Sequence, residues 1–411
     1  MSSPSFKDCE LSILRTQVDK AHTQLTKDTV VTPQIQAFMS IVEKFLQDSN
    51  VICYGGTAIN NILPKLAQFY DKRTTVADYD FFSPEPMEDA KKLADIFAAQ
   101  TNYNIDNIEA KSGVHHGTYK VFVNFIPVAD ITLMKLPIFE ALKLKSIVRN
   151  KIMYAAPDFL RMSMYLELSR PKGDVDRWEK IHTRLALLNK YFPVQTSCLD
   201  LISKSNNEKE SNNLKNLKSP KSPDHNDKNL KITQSQIDNV YSQIIGALQN
   251  EDCVFFGRVA MQRYKTYIDK NVKSHLKPNI DNDTIIDVII EHPGTMANKI
   301  RDVLSSNLDN SDTNSDKIKC TVDNYSAIGE LIPRHSIINI NDVPVAILYA
   351  PVACHSYNVV TYKNSRIKIA SIDTILSFYL AFIFTGVEYF ANRSVRFVCA
   401  ASMLYNVQRE H

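Results

Sequence analysis

The chain has 411 residues and a formal net charge of +3, from 48 Lys and Arg against 45 Asp and Glu. At about 100–200 residues per domain, that length implies two or three domains. The near-zero balance excludes an overall basic nucleic-acid binder or an acidic tail, unless opposite charges are segregated along the chain.

The N-terminal MSSPSFKDCE has no apolar stretch, so no secretory signal is expected. Residues 1–50 read as a helical segment, with apolar residues at helical spacing in Ile35–Leu46. Residues 51–200 alternate strand-like and helix-like segments and form the first predicted domain. Its opening run, VICYGGTAINNIL (Val51–Leu63), predicts a strand, a tight Gly turn and a helix N-terminus. Free N–H groups and the positive end of the helix dipole gather at such a point. Gly55 and Gly56 allow close backbone approach, and Thr57 offers a hydroxyl. Alone, such a turn is only a turn.

ADYDFFS follows. Residues i and i+2 of a strand share a face, so Asp78 and Asp80 project together. Two adjacent carboxylates repel, and a divalent cation resolves the conflict. A third carboxylate, Asp130, ends the strand-like run TYKVFVNFIPVAD. With the first two in place it is a candidate third metal ligand. Beyond it, Leu133–Met153 carries Lys135, Lys143, Lys145, Arg149 and Lys151 against Glu140. Helical segments then run from Asp158 past Trp178, the only Trp of the chain.

Residues 201–233 are predicted as a disordered linker. Within them, Ser203–Lys231 is almost devoid of apolar residues and cannot offset its ordering entropy. Structure resumes over residues 234–411. A second basic stretch, Arg258–Lys277, includes Lys270, Lys273 and Lys277, with Tyr264 and Tyr267 as candidate base-stacking rings. The apolar run Ile375–Val387 is shorter than the roughly 20 residues of a membrane helix and predicts a buried core helix. The seven cysteines form no C-x-x-C, so neither a zinc site nor a disulfide framework is indicated. No G-x-x-x-x-G-K-[ST] or G-x-G-x-x-G occurs.

The halves repeat. Ala77–Phe97 aligns without gaps on Thr284–Leu304, placing Asp80 on Asp287 and Asp78 on Ile285. Lys151–Leu160 aligns on Arg366–Ile375, and Val51–Gly56 on Cys253–Arg258. IPVAD (Ile126–Asp130) is matched with APVAC (Ala350–Cys354), which would set Cys354 opposite Asp130 and something like Phe-Gly-Arg opposite Gly-Gly-Thr. One surviving carboxylate cannot hold two metals, so the second copy is expected to be catalytically dead. His355 beside Cys354 is read as packing rather than metal binding.

Gly-Gly-Thr, then Asp-x-Asp on a strand, then Asp on a later strand resembles the DNA polymerase β-like nucleotidyltransferases, with a longer gap between Gly56 and Asp78 filled by Leu63–Ala77. APDFLRMSMYLELSRPKGDVDRWEKIHTRLALLNKYFP and APVACHSYN (Ala350–Asn358) resemble the poly(A) polymerase catalytic subunits of large nucleocytoplasmic DNA viruses, of the mimivirus and African swine fever virus kind, with poxvirus enzymes more distant. The resemblance implies an α+β chain of two tandem nucleotidyltransferase-like domains, the second degenerate. It implies template-independent addition of AMP from ATP to RNA 3′ ends, for viral mRNA polyadenylation. Gly55, Gly56 and Thr57 would contact the triphosphate. Asp78, Asp80 and Asp130 would bind two Mg²⁺ or Mn²⁺ ions, about 4 Å apart in such sites. Lys143, Lys145, Arg149, Lys270, Lys273 and Lys277 are candidates for RNA contact. A homodimer or a processivity subunit is the expected protein partner, no membrane is involved, and the expected location is the host cytoplasm (viral factory) or the virion. The alternatives are a uridylyl-, CCA-adding or oligonucleotide-synthesising transferase, or a non-catalytic RNA-binding scaffold.

Overall fold

The computed structural model describes residues 32–70, 78–100, 105–113, 117–194, 234–267, 285–308, 319–329, 331–362, 365–391 and 393–410. The chain divides into two compact units between Ala156 and Pro157.

In the first unit, helix α1 (Pro33–Asp48) starts where its sequence says it should. Thr32 accepts a hydrogen bond from the Ile35 N–H, and Pro33 fills the first position, where a missing N–H does no harm. Ile35, Phe38, Val42, Phe45 and Leu46 form its buried stripe. Each such side chain contributes roughly 1.5–3 kcal/mol when fully buried. Phe38 meets Phe97 edge-on at 5.7 Å, and Phe45 meets Phe81 at 5.8 Å, so the helix covers one face of a sheet.

That sheet has seven strands. They are β1 (Ile52–Tyr54), β2 (Asp80–Ser83), β3 (Ile108–Ser112), β4 (Thr118–Val123), β5 (Ile126–Leu133), β6 (Ile147–Arg149) and β7 (Ile152–Tyr154), in spatial order β3-β4-β5-β2-β1-β7-β6. Helix α2 (Gly55–Ile62) leaves β1, α3 (Pro86–Gln100) leaves β2, and α4 (Leu136–Lys143) follows β5. Strand β2 runs antiparallel to β1 and parallel to β5. The period of two sorts the side chains. Cys53, Phe81, Val121, Val123 and Ile131 are buried, whereas Tyr54, Asp80, Phe82 and Asp130 are half-buried.

The second unit begins with helices α5 (Pro157–Leu168) and α6 (Trp178–Tyr191), which the sequence reading grouped with the first domain. Its sheet contains β8 (Cys253–Phe256), β9 (Ile286–Ile290), β10 (Cys320–Tyr325), β11 (His335–Ile340), β12 (Val343–Tyr349), β13 (Tyr357–Tyr362) and β14 (Ser365–Ala370). Helices α7 (Gln234–Leu248), α8 (Gly257–Tyr264), α9 (Pro293–Leu308), α10 (Ile372–Phe382), α11 (Glu388–Ala391) and α12 (Ser394–Glu410) accompany it. The order β10-β11-β12-β9-β8-β14-β13 repeats the first sheet strand for strand.

The repeat reaches into irregular detail. Gly55 and Gly257 both adopt positive φ, at 71° and 59°. The β4–β5 hairpin turns on Asn124 and Phe125, φ 50° and 65°, and the β11–β12 hairpin on Asn341 and Asp342, φ 48° and 63°. Both hairpins carry a register shift, at Val121/Phe122 and Ile338/Asn339.

These registers correct part of the expected alignment. Asp80 pairs with Asp130, and Asp287 pairs with Ile347. IPVAD therefore matches VPVAI (Val343–Ile347), and Ile347, not Cys354, stands opposite Asp130. APVAC begins just after β12 ends, so a repeated Pro-Val-Ala attracted the wrong segment. Likewise Tyr54 pairs with Asp80 and Phe256 with Asp287, which sets Gly257-Arg258-Val259, not Phe-Gly-Arg, opposite Gly55-Gly56-Thr57.

The second copy is closed as well as depleted. Asp287 is 1% exposed, and its partners on the flanking strands are Phe256 and Ile347. Phe256, Tyr349, Phe378 and Phe382 pack over the face equivalent to the one that carries Tyr54, Asp80 and Asp130 in the first sheet, with Phe256–Phe378 centroids 4.9 Å apart and Phe256–Tyr349 5.4 Å. The run Ile375–Val387 supplies these rings through α10, a buried core helix as expected. No helix among the described residues is long and apolar enough to cross a membrane.

Candidate active site

Gly55 ends β1 and starts α2, and its positive φ lets the chain turn there without strain. A side chain at this position would meet Asp80, because an ideal Cβ falls 2.5 Å from Asp80 Oδ2. Glycine therefore brings the N-terminus of α2 against a carboxylate. That end has no side-chain cap, so its N–H groups face the same region as Asp80.

Tyr79 is 2% exposed and donates its hydroxyl to Glu43 Oε1 at 2.6 Å on the core side. Asp80 consequently lies on the opposite face, and Asp78 is exposed just before the strand. Asp130 joins them by strand register, its N–H bonding the Tyr79 carbonyl at 3.0 Å. The electrostatic sign of this grouping shows at Tyr54. Its phenol is pushed well above its usual range by burial, then by Asp80, with Asp130 and Asp78 adding in the same direction. Burial, Asp80 and Asp78 likewise raise the Cys53 thiol. Tyr54 stacks on Phe82 at 3.8 Å and shares a hydrogen bond with Thr132 at 3.0 Å, forming a half-buried floor beside the carboxylates.

Thr57 does something other than the sequence suggested. It is 3% exposed, and its hydroxyl donates to the Asp78 carbonyl at 2.5 Å. It fixes the backbone of a residue that carries one of the carboxylates. Phe69 and Tyr70 fold back on α2, as the buried Asn60 accepts their N–H bonds at 2.8 and 2.9 Å.

A set of carboxylates suits a hard divalent cation such as Mg²⁺ or Mn²⁺. Asp78, Asp80 and Asp130 would be the groups to hold it. As the side chains stand they do not close on one point. Among the described residues no group of three or more His, Cys, Asp or Glu is spaced to hold an ion. Asp130 is instead bound by a cation of the protein itself, Lys120 Nζ, 2.5 Å from Oδ2. The sequence reading left Lys120 without a role.

The other candidates are dispersed. Lys143 donates to Asn50 Oδ1 at 2.7 Å, and Arg149 donates to the Asn61 and Leu63 carbonyls at the end of α2. Both tie structure together, while Lys145 is exposed. Lys270, Lys273 and Lys277 lie outside the described residues. Of the two candidate stacking rings, Tyr267 is exposed. Tyr264 is buried, with its hydroxyl on the Ala370 carbonyl, so it offers no face to a base. His355 is buried against Phe378, whereas Cys354 is exposed.

Residues 40–174 match the sequence profile of the poly(A) polymerase catalytic subunit family. A protein of Acanthamoeba polyphaga mimivirus named as such a subunit is 31% identical over 180 residues, which are 42% of this chain and 30% of the relative. Its counterpart in African swine fever virus (isolate Tick/South Africa/Pretoriuskop Pr4/1996) is 29% identical over 191 residues, covering 44% of this chain and 39% of the relative. The matches thus span well under half the length of these relatives. The crystal structure of the Megavirus polyadenylate synthase superposes with a TM-score of 0.69 at 20% identity, over 100% of this chain and 76% of the other. The match begins inside α1, runs through every residue of the carboxylate site and ends beyond α5. Residues 40–174 are thus similar in sequence to the poly(A) polymerase catalytic subunits, and the whole chain shares the fold of the Megavirus structure.

Proposed function

We propose that the chain is a template-independent poly(A) polymerase that adds AMP from ATP to RNA 3′ ends. The observation that carries the reading is the juxtaposition of Gly55 with Asp80, and of Asp80 with Asp130, on one face of the first sheet. An uncapped helix start for phosphates beside carboxylates on adjacent strands is what nucleotidyl transfer needs.

In the reaction, the primer 3′-hydroxyl attacks the α-phosphorus of ATP, the new O3′–Pα bond forms as the bond from Pα to the α,β-bridging oxygen breaks, the hydroxyl proton passes to a carboxylate or to solvent, and pyrophosphate leaves. The backbone N–H groups of Gly55 and Gly56 bind the triphosphate and place its leaving end at the positive pole of α2. Thr57 holds the Asp78 backbone, so Asp78 and Asp80 keep a common orientation. Asp130 stands on the neighbouring strand, where the primer hydroxyl would enter. Bound Mg²⁺ or Mn²⁺, two ions in this reading, supplies charge neutralisation for the hydroxyl and the leaving group. Positioning and preorganised charge provide most of the acceleration.

The second unit is read as a non-catalytic support for RNA. A homodimer or a processivity subunit, and action in the host cytoplasm at viral factories with packaging in the virion, belong to the same proposal. Purified protein with labelled RNA, Mg²⁺ or Mn²⁺ and each NTP separately tests it. Extension with ATP alone or strongly preferred supports the reading. Equal use of all four argues for a general terminal transferase, and no extension with any supports a scaffold.

A further inference from the structure

We propose that Lys120 is a built-in competitor for the cation site. Its ammonium is paired with Asp130 and must leave it before a divalent ion can engage that carboxylate. The proposal rests on reading Asp78, Asp80 and Asp130 as the cation-binding carboxylates. Three observations carry it.

The first is the contact itself. Lys120 Nζ lies 2.5 Å from Asp130 Oδ2, with the two side chains 35% and 21% exposed. A half-buried ion pair is less screened than a surface one. A carboxylate so engaged has one oxygen committed to the ammonium.

The second is how that contact is singled out. Lys111 lies directly across from Lys120 on β3 and could have served the same carboxylate. It is held elsewhere, 2.7 Å from Glu109 Oε2 and 4.3 Å over the Phe122 ring. The register shift at Val121/Phe122 then sets Lys120, rather than a neighbour, opposite Asp130.

The third is internal. In the closed second copy the same two positions are Ile337 and Ile347, which pair with each other just as Lys120 pairs with Asp130. Where the carboxylate is absent the lysine is absent too, so the two charges stand or fall as a unit. One consequence follows for loading. Without nucleotide, an incoming ion meets a carboxylate already neutralised. An ion arriving with a triphosphate brings ligands of its own and displaces the ammonium more readily. Lys120 thereby couples occupancy of Asp130 to the presence of substrate.

The test is direct Mn²⁺ binding to the full chain without nucleotide, by calorimetry and by the electron paramagnetic resonance of free Mn²⁺. Lys120→Met and Lys120→Gln should each tighten Mn²⁺ by about two- to fivefold, the range of a partly exposed ion pair. Lys120→Arg should restore wild-type affinity, and Lys111→Met should change it little. Unchanged or weaker binding in both neutral variants overturns the proposal. Equal tightening by Lys111→Met also overturns it, because that is bulk charge rather than occupancy. If Lys120→Met melts early, the Gln variant, which keeps hydrogen-bonding capacity, decides. Wild-type Mn²⁺ binding that Asp130→Asn leaves unaltered would instead sink the reading of the carboxylate site itself.

Discussion

At the scale of single residues, the site depends on backbone that only certain side chains permit. Gly55→Ala would need a strained left-handed conformation and would drive a Cβ into Asp80. Backbone strain of this kind costs on the order of 1–3 kcal/mol. The variant should therefore lower the melting temperature and abolish measurable nucleotide addition, a loss larger than its stability effect explains. Thr57→Val removes only the hydroxyl that holds the Asp78 carbonyl. One lost buried hydrogen bond should destabilise by about 1–3 kcal/mol. Addition rate should fall with ATP affinity little changed, since the Thr57 hydroxyl is committed to the Asp78 carbonyl. A steady-state separation of kcat from KM checks this. Gly55 and Asp80 could both be read as candidates from the sequence. Their contact could not, because it depends on how β1 pairs with β2.

At the scale of elements, the paired hairpins and the buried histidine each give a measurable consequence. Phe125 is 77% exposed at φ 65° in a two-residue turn that favours Asn-Gly. Phe125→Gly relieves the left-handed penalty and should stabilise by about 1–2 kcal/mol, read as a rise in thermal midpoint. His355 packs between its strand connection and α10, and neither ring nitrogen has a hydrogen-bond partner. Burial, reinforced by Arg170, pushes its pKa down from 6.5 to about 4. A depressed histidine pKa favours the neutral folded form. Its contribution is complete above pH 6.5 and is lost progressively as pH falls toward 4. His355→Leu should therefore flatten the loss of stability between pH 6.5 and 4, with little change in that slope above neutrality. Denaturant unfolding at several pH values measures both. The helices and strands themselves were largely legible, since Thr32-Pro33 and the apolar spacing of Ile35–Leu46 mark a helix start and its buried stripe without tertiary help. The bulge in each hairpin was not, because an extra residue in a strand leaves no periodic signal.

At the scale of the whole molecule, one topology is used twice with opposite outcomes. In the first unit a face of the sheet carries Tyr54, Asp80 and Asp130, all half-buried. In the second, Phe378 and Phe382 from α10 fill the matching face. Asp80→Asn should remove activity by on the order of 10²–10³-fold or more, the scale of losing one preorganised charged group. Asp287→Asn, at the equivalent strand position, should leave the rate within about twofold, because the side chain is sealed from solvent. Parallel assays of the two variants with labelled RNA make the comparison. Loss of activity in both would mean that the second copy takes part in the reaction.

The sequence by itself determined the carboxylates, the Gly-Gly turn, the duplication and the depletion of the second copy. Each is carried by residue type and by short periodicity, which chemistry imposes locally. Tertiary structure decided which residues meet. Strand register chose Ile347 over Cys354 as the counterpart of Asp130, turned Thr57 inward to Asp78, and set Lys120 against Asp130. The reason is physical. A one-residue slip in a strand exchanges its two faces, and in β5 the bulge makes that slip at Val128 and Ala129, two consecutive buried residues whose identities alone do not mark it. The small net charge of the chain therefore conceals a cluster whose acids are partly answered by a lysine from the next strand.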